Sequence, residues 1–153
     1  ISIYLPISDK EFTDTDNEVA SLPKANNDKT ILLVEDNRQV RETTSATLAD
    51  MGYKVLEAGD GSTAFELLGQ KSGTIDIVLS DVIMPNGMSG IDLAKQAAVE
   101  HPHINILLTS GYPDKIADAG KINGLDIGLI AKPFTRAQLA AAIASAVSDQ
   151  REK

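Results

Sequence analysis

The chain has 153 residues, 42% of them apolar, and its 22 Asp and Glu against 14 Lys and Arg leave a net charge of −8. That is material for one packed domain at the usual size of roughly 100–200 residues, not for two. The absence of cysteine excludes a disulfide framework, a thiolate zinc site and a cysteine nucleophile, while the acidity argues against nucleic-acid backbone and anionic lipid, both of which require clustered Lys and Arg.

Residues 1–7 (ISIYLPI) form a short β-branched and aromatic run broken by Pro6. From residue 8 to residue 28 the composition turns polar and acidic, too poor in apolar surface to offset its own ordering entropy, so it is read as a linker. Asp9, Glu11, Asp14, Asp16, Glu18 and Asp28 against Lys10 and Lys24 give this region −4, half of the total charge, carried on a solvated tail. The chain starts at Ile1 rather than Met and is read as part of a longer protein. No apolar run approaches the roughly 20 residues of a membrane span and no secretory signal is present, so the expected location is cytoplasmic, without direct membrane contact.

From Lys29 onward short apolar runs alternate with helical segments, and residues 29–150 are expected to form one domain. The predicted strands are 30–34 (TILLV), 53–56 (YKVL), 75–79 (IDIVL), 104–108 (INILL) and 127–131 (IGLIA). Runs this short and this rich in Val, Ile and Leu suit strands buried on both faces of a parallel sheet. The predicted helices are 38–51, 62–70, 90–101, 113–122 and 135–148. Gly52 marks the end of the first, and Thr135 is the N-cap of the last. Val40, Thr44, Thr47, Leu48 and Met51 form one stripe of the first helix, and Leu139, Ile143 and Val147 one stripe of the last. Five strands linked by five helices imply an α/β doubly wound parallel sheet, because parallel neighbours need right-handed crossovers.

Ligands of such sheets bind beyond the carboxyl ends of the strands. Those positions hold Glu35 and Asp36, then Ser80 and Asp81, then Thr109 and Ser110, and finally Lys132. Three clustered carboxylates repel one another and call for a cation; Mg²⁺ fits, since it prefers hard oxygen ligands and is often shared between carboxylates and a phosphate. The same set suits phosphoryl transfer, with Asp81 as the nucleophile and Lys132 and Ser110 holding phosphoryl oxygens.

The motifs VEDN at 34–37, LSDVIMP at 79–85, TSGY at 109–112 and KPF at 132–134 together resemble a response-regulator receiver domain of two-component signalling over about residues 29–150. The resemblance implies a flavodoxin-like fold with strand order 2-1-3-4-5. It implies that Asp81 accepts a phosphoryl group from a phosphohistidine donor, a histidine kinase or a phosphotransfer domain. Asp36, Asp81 and the backbone carbonyl of Ile83 would coordinate Mg²⁺, with Glu35 acting largely through water. Ser110 matches the switch hydroxyl, Lys132 the phosphoryl-contacting lysine, and the Lys132–Pro133 bond is cis in the family. Partner docking or homodimerisation would use the face of the fourth helix, fifth strand and fifth helix.

Position 129 and the loop after Asp81 depart from the common pattern. Leu129 stands where receivers with a rotating aromatic switch carry Tyr or Phe. Ile83 and Tyr112 occupy the positions flanking the phosphoryl group, and neither offers a carboxylate or amide to orient a hydrolytic water, so slow self-dephosphorylation is expected. The loop after Asp81 carries one extra residue, apparently Gly87; Gly87 and Gly90 are read as turn residues. Met84 and Met88 are read as loop packing, Asp60 and Gly61 as the cap of the second helix, and His101 and His103 as surface turn residues.

The segment ISIYLP resembles the closing strand of a histidine-kinase ATP-binding domain. This suggests the C-terminal receiver of a hybrid sensor histidine kinase, with a stand-alone regulator as the alternative. A metal-dependent phosphatase of the haloacid-dehalogenase type would need a second Asp where Ile83 stands. A dinucleotide or P-loop module would need a glycine-rich turn after the first strand, where VEDNRQV stands instead.

Overall fold

The computed structural model describes residues 28–85, 87–112, 121–122 and 125–151. In chain order the elements are β1 (Thr30–Val34), α1 (Arg38–Asp50), β2 (Lys54–Ala58), α2 (Gly61–Lys71), β3 (Ile77–Asp81), α3 (Gly90–Glu100), β4 (Asn105–Ser110), β5 (Lys121–Ile122), β6 (Leu125–Asp126), β7 (Gly128–Ala131) and α4 (Arg136–Arg151). Five strands form one sheet in the order β2-β1-β3-β4-β7, with every pairing parallel. Counting only these five, the order is the expected 2-1-3-4-5.

The described residues hold four helices, not the five expected. Of the segment 113–122, residues 113–120 lie outside the described residues, and Lys121–Ile122 are not helical. They pair antiparallel with Leu125–Asp126 as a separate two-stranded sheet. The intervening Asn123-Gly124 is a strong hairpin signal in the sequence, and it outweighs the helical reading at Lys121–Ile122. The expected preceding-domain remnant at 1–7 and all of the linker except Asp28 also lie outside the described residues.

Alternation along the strands divides the core into two layers. Ile31 and Leu33, Ile77 and Leu79, and Leu107 and Ile130 point to one face, where they meet Leu48 of α1 and Leu139 and Ile143 of α4. Leu32 and Val34, Val78, Ile106 and Leu108 point to the other, against Ala64 and Leu68 of α2 and Leu93, Ala94 and Ala97 of α3. Successive residues of a strand face opposite ways, so a strand covered on both sides must be apolar throughout. Of the first-helix stripe, Leu48 is fully buried but Val40 is 39% exposed. Val40 lies in the first turn of α1, beside the carboxyl ends of the strands, where sheet cover runs out.

Side-chain caps fix where the helices begin. Asn37 Oδ1 accepts from Val40 N, Asp60 Oδ1 from Thr63 N, and Thr135 Oγ1 from Gln138 N. Ser89 and Asp92 form a reciprocal capping box at the start of α3. Gly52, at φ 101°, ends α1 in a conformation that side chains other than glycine resist.

Gly90 has a different constraint. A Cβ there would lie 1.9 Å from the Asp81 carbonyl oxygen, because α3 begins directly against the end of β3, with Gly90 N donating to Val82 O. We expect Gly90→Ala to destabilise the fold by about 2–3 kcal/mol through forced backbone displacement. Gly69→Ala, inside α2 with nothing within 4 Å of the new methyl group, should instead stabilise by about 0.5–1 kcal/mol. Urea unfolding of the two variants beside the parent checks both signs.

Candidate functional site

The same alternation that sorts the core also gathers the polar groups. Glu35 follows Leu33 by two residues, Asp81 follows Leu79, Thr109 follows Leu107, and Lys132 follows Ile130. Each therefore continues the α1/α4 face of its strand past the edge of the apolar core. Lys132 Nζ donates to Glu35 Oε2 at 2.7 Å and to Asp81 Oδ2 at 3.0 Å. A small pocket beside this bridge is lined by Leu33, Thr44, Leu79, Thr109 and Phe134 as well as by the three charged residues.

Carboxylate oxygens of Glu35, Asp36 and Asp81 lie within 4.8 Å of one another, with Glu35 buried, Asp81 half-buried and Asp36 exposed. Burial pushes the Glu35 carboxyl above its ordinary range. The bonds from Lys132 and from Asn37 N act against that shift, and the nearby Asp81 charge adds to it. For Lys132, burial alone would favour the neutral amine, but its bonds to Glu35 and Asp81 outweigh burial and raise its pKa above the usual value. The ammonium is thus held charged between two acids.

Backbone contacts hold the frame. Asn37 N donates to Glu35 Oε1, Ile83 N to Asp81 Oδ1, and Arg41 Nη1 to the Glu35 carbonyl at 2.7 Å. Val82 N donates to Thr109 O, and Lys132 N to Ser110 O, so the loops after β3 and β7 are both registered on β4. The Lys132–Pro133 peptide is cis. Three hard oxygen donors, one of them facing solvent, suit a cation such as Mg²⁺ that keeps several of its waters. Glu35, Asp36 and Asp81 are the residues that could hold it.

A profile for the response regulator receiver domain matches residues 31–144. The chain belongs to this family. It is 32% identical over 155 residues to the sensor kinase CckA of Brucella abortus (strain 2308), an alignment covering 97% of this chain but 16% of that kinase. With the response regulator receiver protein CpdR of the same strain it shares 30% identity over 106 residues, 69% of this chain and 86% of that protein. A solved receiver domain from the hybrid histidine kinase CckA superposes with a TM-score of 0.64 at 34% identity, covering 77% of this chain and 98% of that one. Among the described residues no helix is long and apolar enough to cross a membrane.

The receiver fold brings Glu35, Asp36, Asp81 and Lys132 together. Ser110 is buried, and its hydroxyl accepts from Tyr112 N and donates to Tyr112 O within its own loop. Ser110 continues the strand face of Ile106 and Leu108, opposite to that of Thr109, and it is Thr109 that lines the pocket. Ile83 and Tyr112 are exposed at 44% and 62%, and Leu129 packs half-buried against the α2/α3 layer. His101 and His103 lie between α3 and β4, at the amino ends of the strands and away from the acids; His103 Nε2 is 3.0 Å from Ser72 O. Sequence reasoning named Thr109 as a strand-end residue without giving it a role, placed Thr44 only on the stripe of the first helix and Phe134 only in the KPF motif, and did not single out Arg41. The two-residue step from Leu107 was the available signal for Thr109.

Replacing Lys132 leaves Glu35 and Asp81 facing each other without a counter-ion. We expect Lys132→Met to lower stability in metal-free buffer by about 2–3 kcal/mol, less than the ~3–5 kcal/mol of a fully buried broken pair because Lys132 keeps some solvent access. Adding Glu35→Gln to that variant should recover part of the loss. Denaturant unfolding of the single and double variants decides whether the uncompensated charge is the cause.

Proposed function

We propose that this receiver domain is the phosphoacceptor of a two-component phosphorelay, with Asp81 as the residue that takes the phosphoryl group. The observation that carries this reading is the bridge of Lys132 between Asp81 and Glu35, with Asp36 close enough to complete a cation site. An Asp81 carboxylate oxygen would attack phosphorus as the N–P bond to the donor histidine breaks, and the freed imidazole nitrogen would take up a proton. Mg²⁺ bound by Glu35, Asp36, Asp81 and the Ile83 carbonyl would supply charge neutralisation on the phosphoryl oxygens. Lys132, already charged and adjacent, would exchange one carboxylate partner for a phosphoryl oxygen. Ser110 would leave Tyr112 to do the same, drawing the loop after β4 inward.

Similarity to a sensor kinase along nearly the whole chain favours the receiver of a hybrid histidine kinase, placed on the cytoplasmic side and preceded by the acidic linker. The match to a receiver protein over most of that protein's length favours the second reading, a stand-alone regulator. In either setting the switched face would be that around β7 and the final helix, used for a protein partner or a second copy. With Leu129 in place of an aromatic residue, the change at that face would be carried by the loop and not by a rotating ring.

Asp81→Asn should abolish transfer from a phosphohistidine donor while leaving the amide NMR spectrum of the fold intact; labelling that persists in the variant would sink the assignment. In the parent, beryllofluoride with Mg²⁺ should shift the amides of Ser110 and Leu129. The aspartyl phosphate should decay slowly, and Ile83→Asn should accelerate its decay by supplying a group that orients water. Equal decay of parent and variant would remove that explanation of the phosphate lifetime.

A further inference from the structure

We infer that Arg41 is a positioning residue for the cation site, acting through the backbone that carries Glu35 and Asp36. This rests on reading the acid cluster as a Mg²⁺ site. Glu35 and Asp36 lie in the short turn between β1 and α1, past the last ladder pair of Val34 with Ala58. Where their carboxylates reach therefore depends on how this turn is held. Two of its restraints are internal, Asn37 N on Glu35 Oε1 and Val40 N on Asn37 Oδ1.

Three restraints come from outside the turn: Glu35 N donating to Ala58 O, Lys132 Nζ on Glu35 Oε2, and Arg41. From α1 its guanidinium reaches back to the Glu35 carbonyl, with Nη1 donating at 2.7 Å. The same nitrogen lies nearest Gly59, just past β2, where an added Cβ would be 3.4 Å from Nη1 and 3.9 Å from Cζ. One half-buried side chain thus ties together the end of β1, the start of α1 and the junction from β2 to α2. The glycine leaves the space that the guanidinium fills. A methyl group would touch it at ordinary van der Waals distance, so a branched side chain there would crowd the guanidinium.

Charge and geometry make opposite demands here. A guanidinium close to Glu35 and Asp36 repels a bound cation, so its removal would tighten binding if electrostatics decided the outcome. Loss of a group that orients ligand residues typically weakens metal binding by about 10–100-fold. We expect Arg41→Ala to weaken Mg²⁺ binding about tenfold. Gly59→Val, which pushes the guanidinium aside while keeping every charge, should weaken it in the same direction.

Mg²⁺ titration of the ¹⁵N-labelled protein, followed at the amides of Asp36 and Asn37, reads the affinity without any phosphoryl donor. Thermal unfolding in metal-free buffer reads the structural part separately. Weaker binding in both folded variants is the expected result. Unchanged or tighter binding in either folded variant overturns the inference, and so does a lowered melting temperature with parental Mg²⁺ affinity. If the parent itself bound no Mg²⁺, the phosphoacceptor reading would fall first and this inference with it.

Discussion

Glu35 and Asp81 stand at the ends of adjacent parallel strands, whose backbone spacing of about 4.8 Å brings their carboxylates close on one face of the sheet. At an effective dielectric of ~20 two such charges repel by on the order of 3–4 kcal/mol. Lys132, entering from the far side of β4, resolves this with one ammonium that bonds to both. Its backbone is fixed by Lys132 N donating to Ser110 O, so the cation is placed by the sheet itself. The order of strands, the parity of each strand end and the length of the β7 turn all meet at this nitrogen. Without it the sheet would present an acid cluster that only a solvent ion could neutralise.

The layered fold was legible because burial on both faces leaves a plain mark, namely continuous apolar runs. The boundaries were less so. The third strand runs from Ile77 to Asp81, two residues later than its apolar run suggests. Asp76 is occupied in accepting from Thr30 N and pairing with Lys29 at the opposite end of the sheet. Ile75 is buried without belonging to the strand. Periodicity reports which residues are covered, and coverage extends beyond the ladder. The β5–β6 hairpin escaped notice for the opposite reason: two residues per strand are too few to show any period, and only the Asn-Gly pair between them carried the signal.

The site was legible by residue type and less by role. Acids and a lysine at strand ends can be listed from the sequence, and the structure joins Lys132 to Glu35 across 97 positions of chain. What a sequence does not disclose is which neighbour holds which carbonyl. Arg41 reads as one more polar residue on an exposed helix until its guanidinium is seen on Glu35 O, and Gly59 reads as loop punctuation until the same guanidinium is seen lying beside it. Thr109 and Ser110 are equally polar neighbours. Their division between the pocket and the Tyr112 loop follows from strand parity alone.

That parity sets the distance over which this protein would have to communicate. Asp81 sits on one side of the sheet, yet Val82, the next residue, belongs to the packing on the other. Across the ladder Asp81 is registered on Thr109, and Ser110 again lies on the reverse side. The partition between the two layers is thus a single peptide unit thick at the strand ends. Thr109, a pocket wall, and Ser110, the anchor of Tyr112, are consecutive residues of one strand that face opposite layers. The shortest covalent path from the acid side to the distal layer is therefore one residue step along a strand.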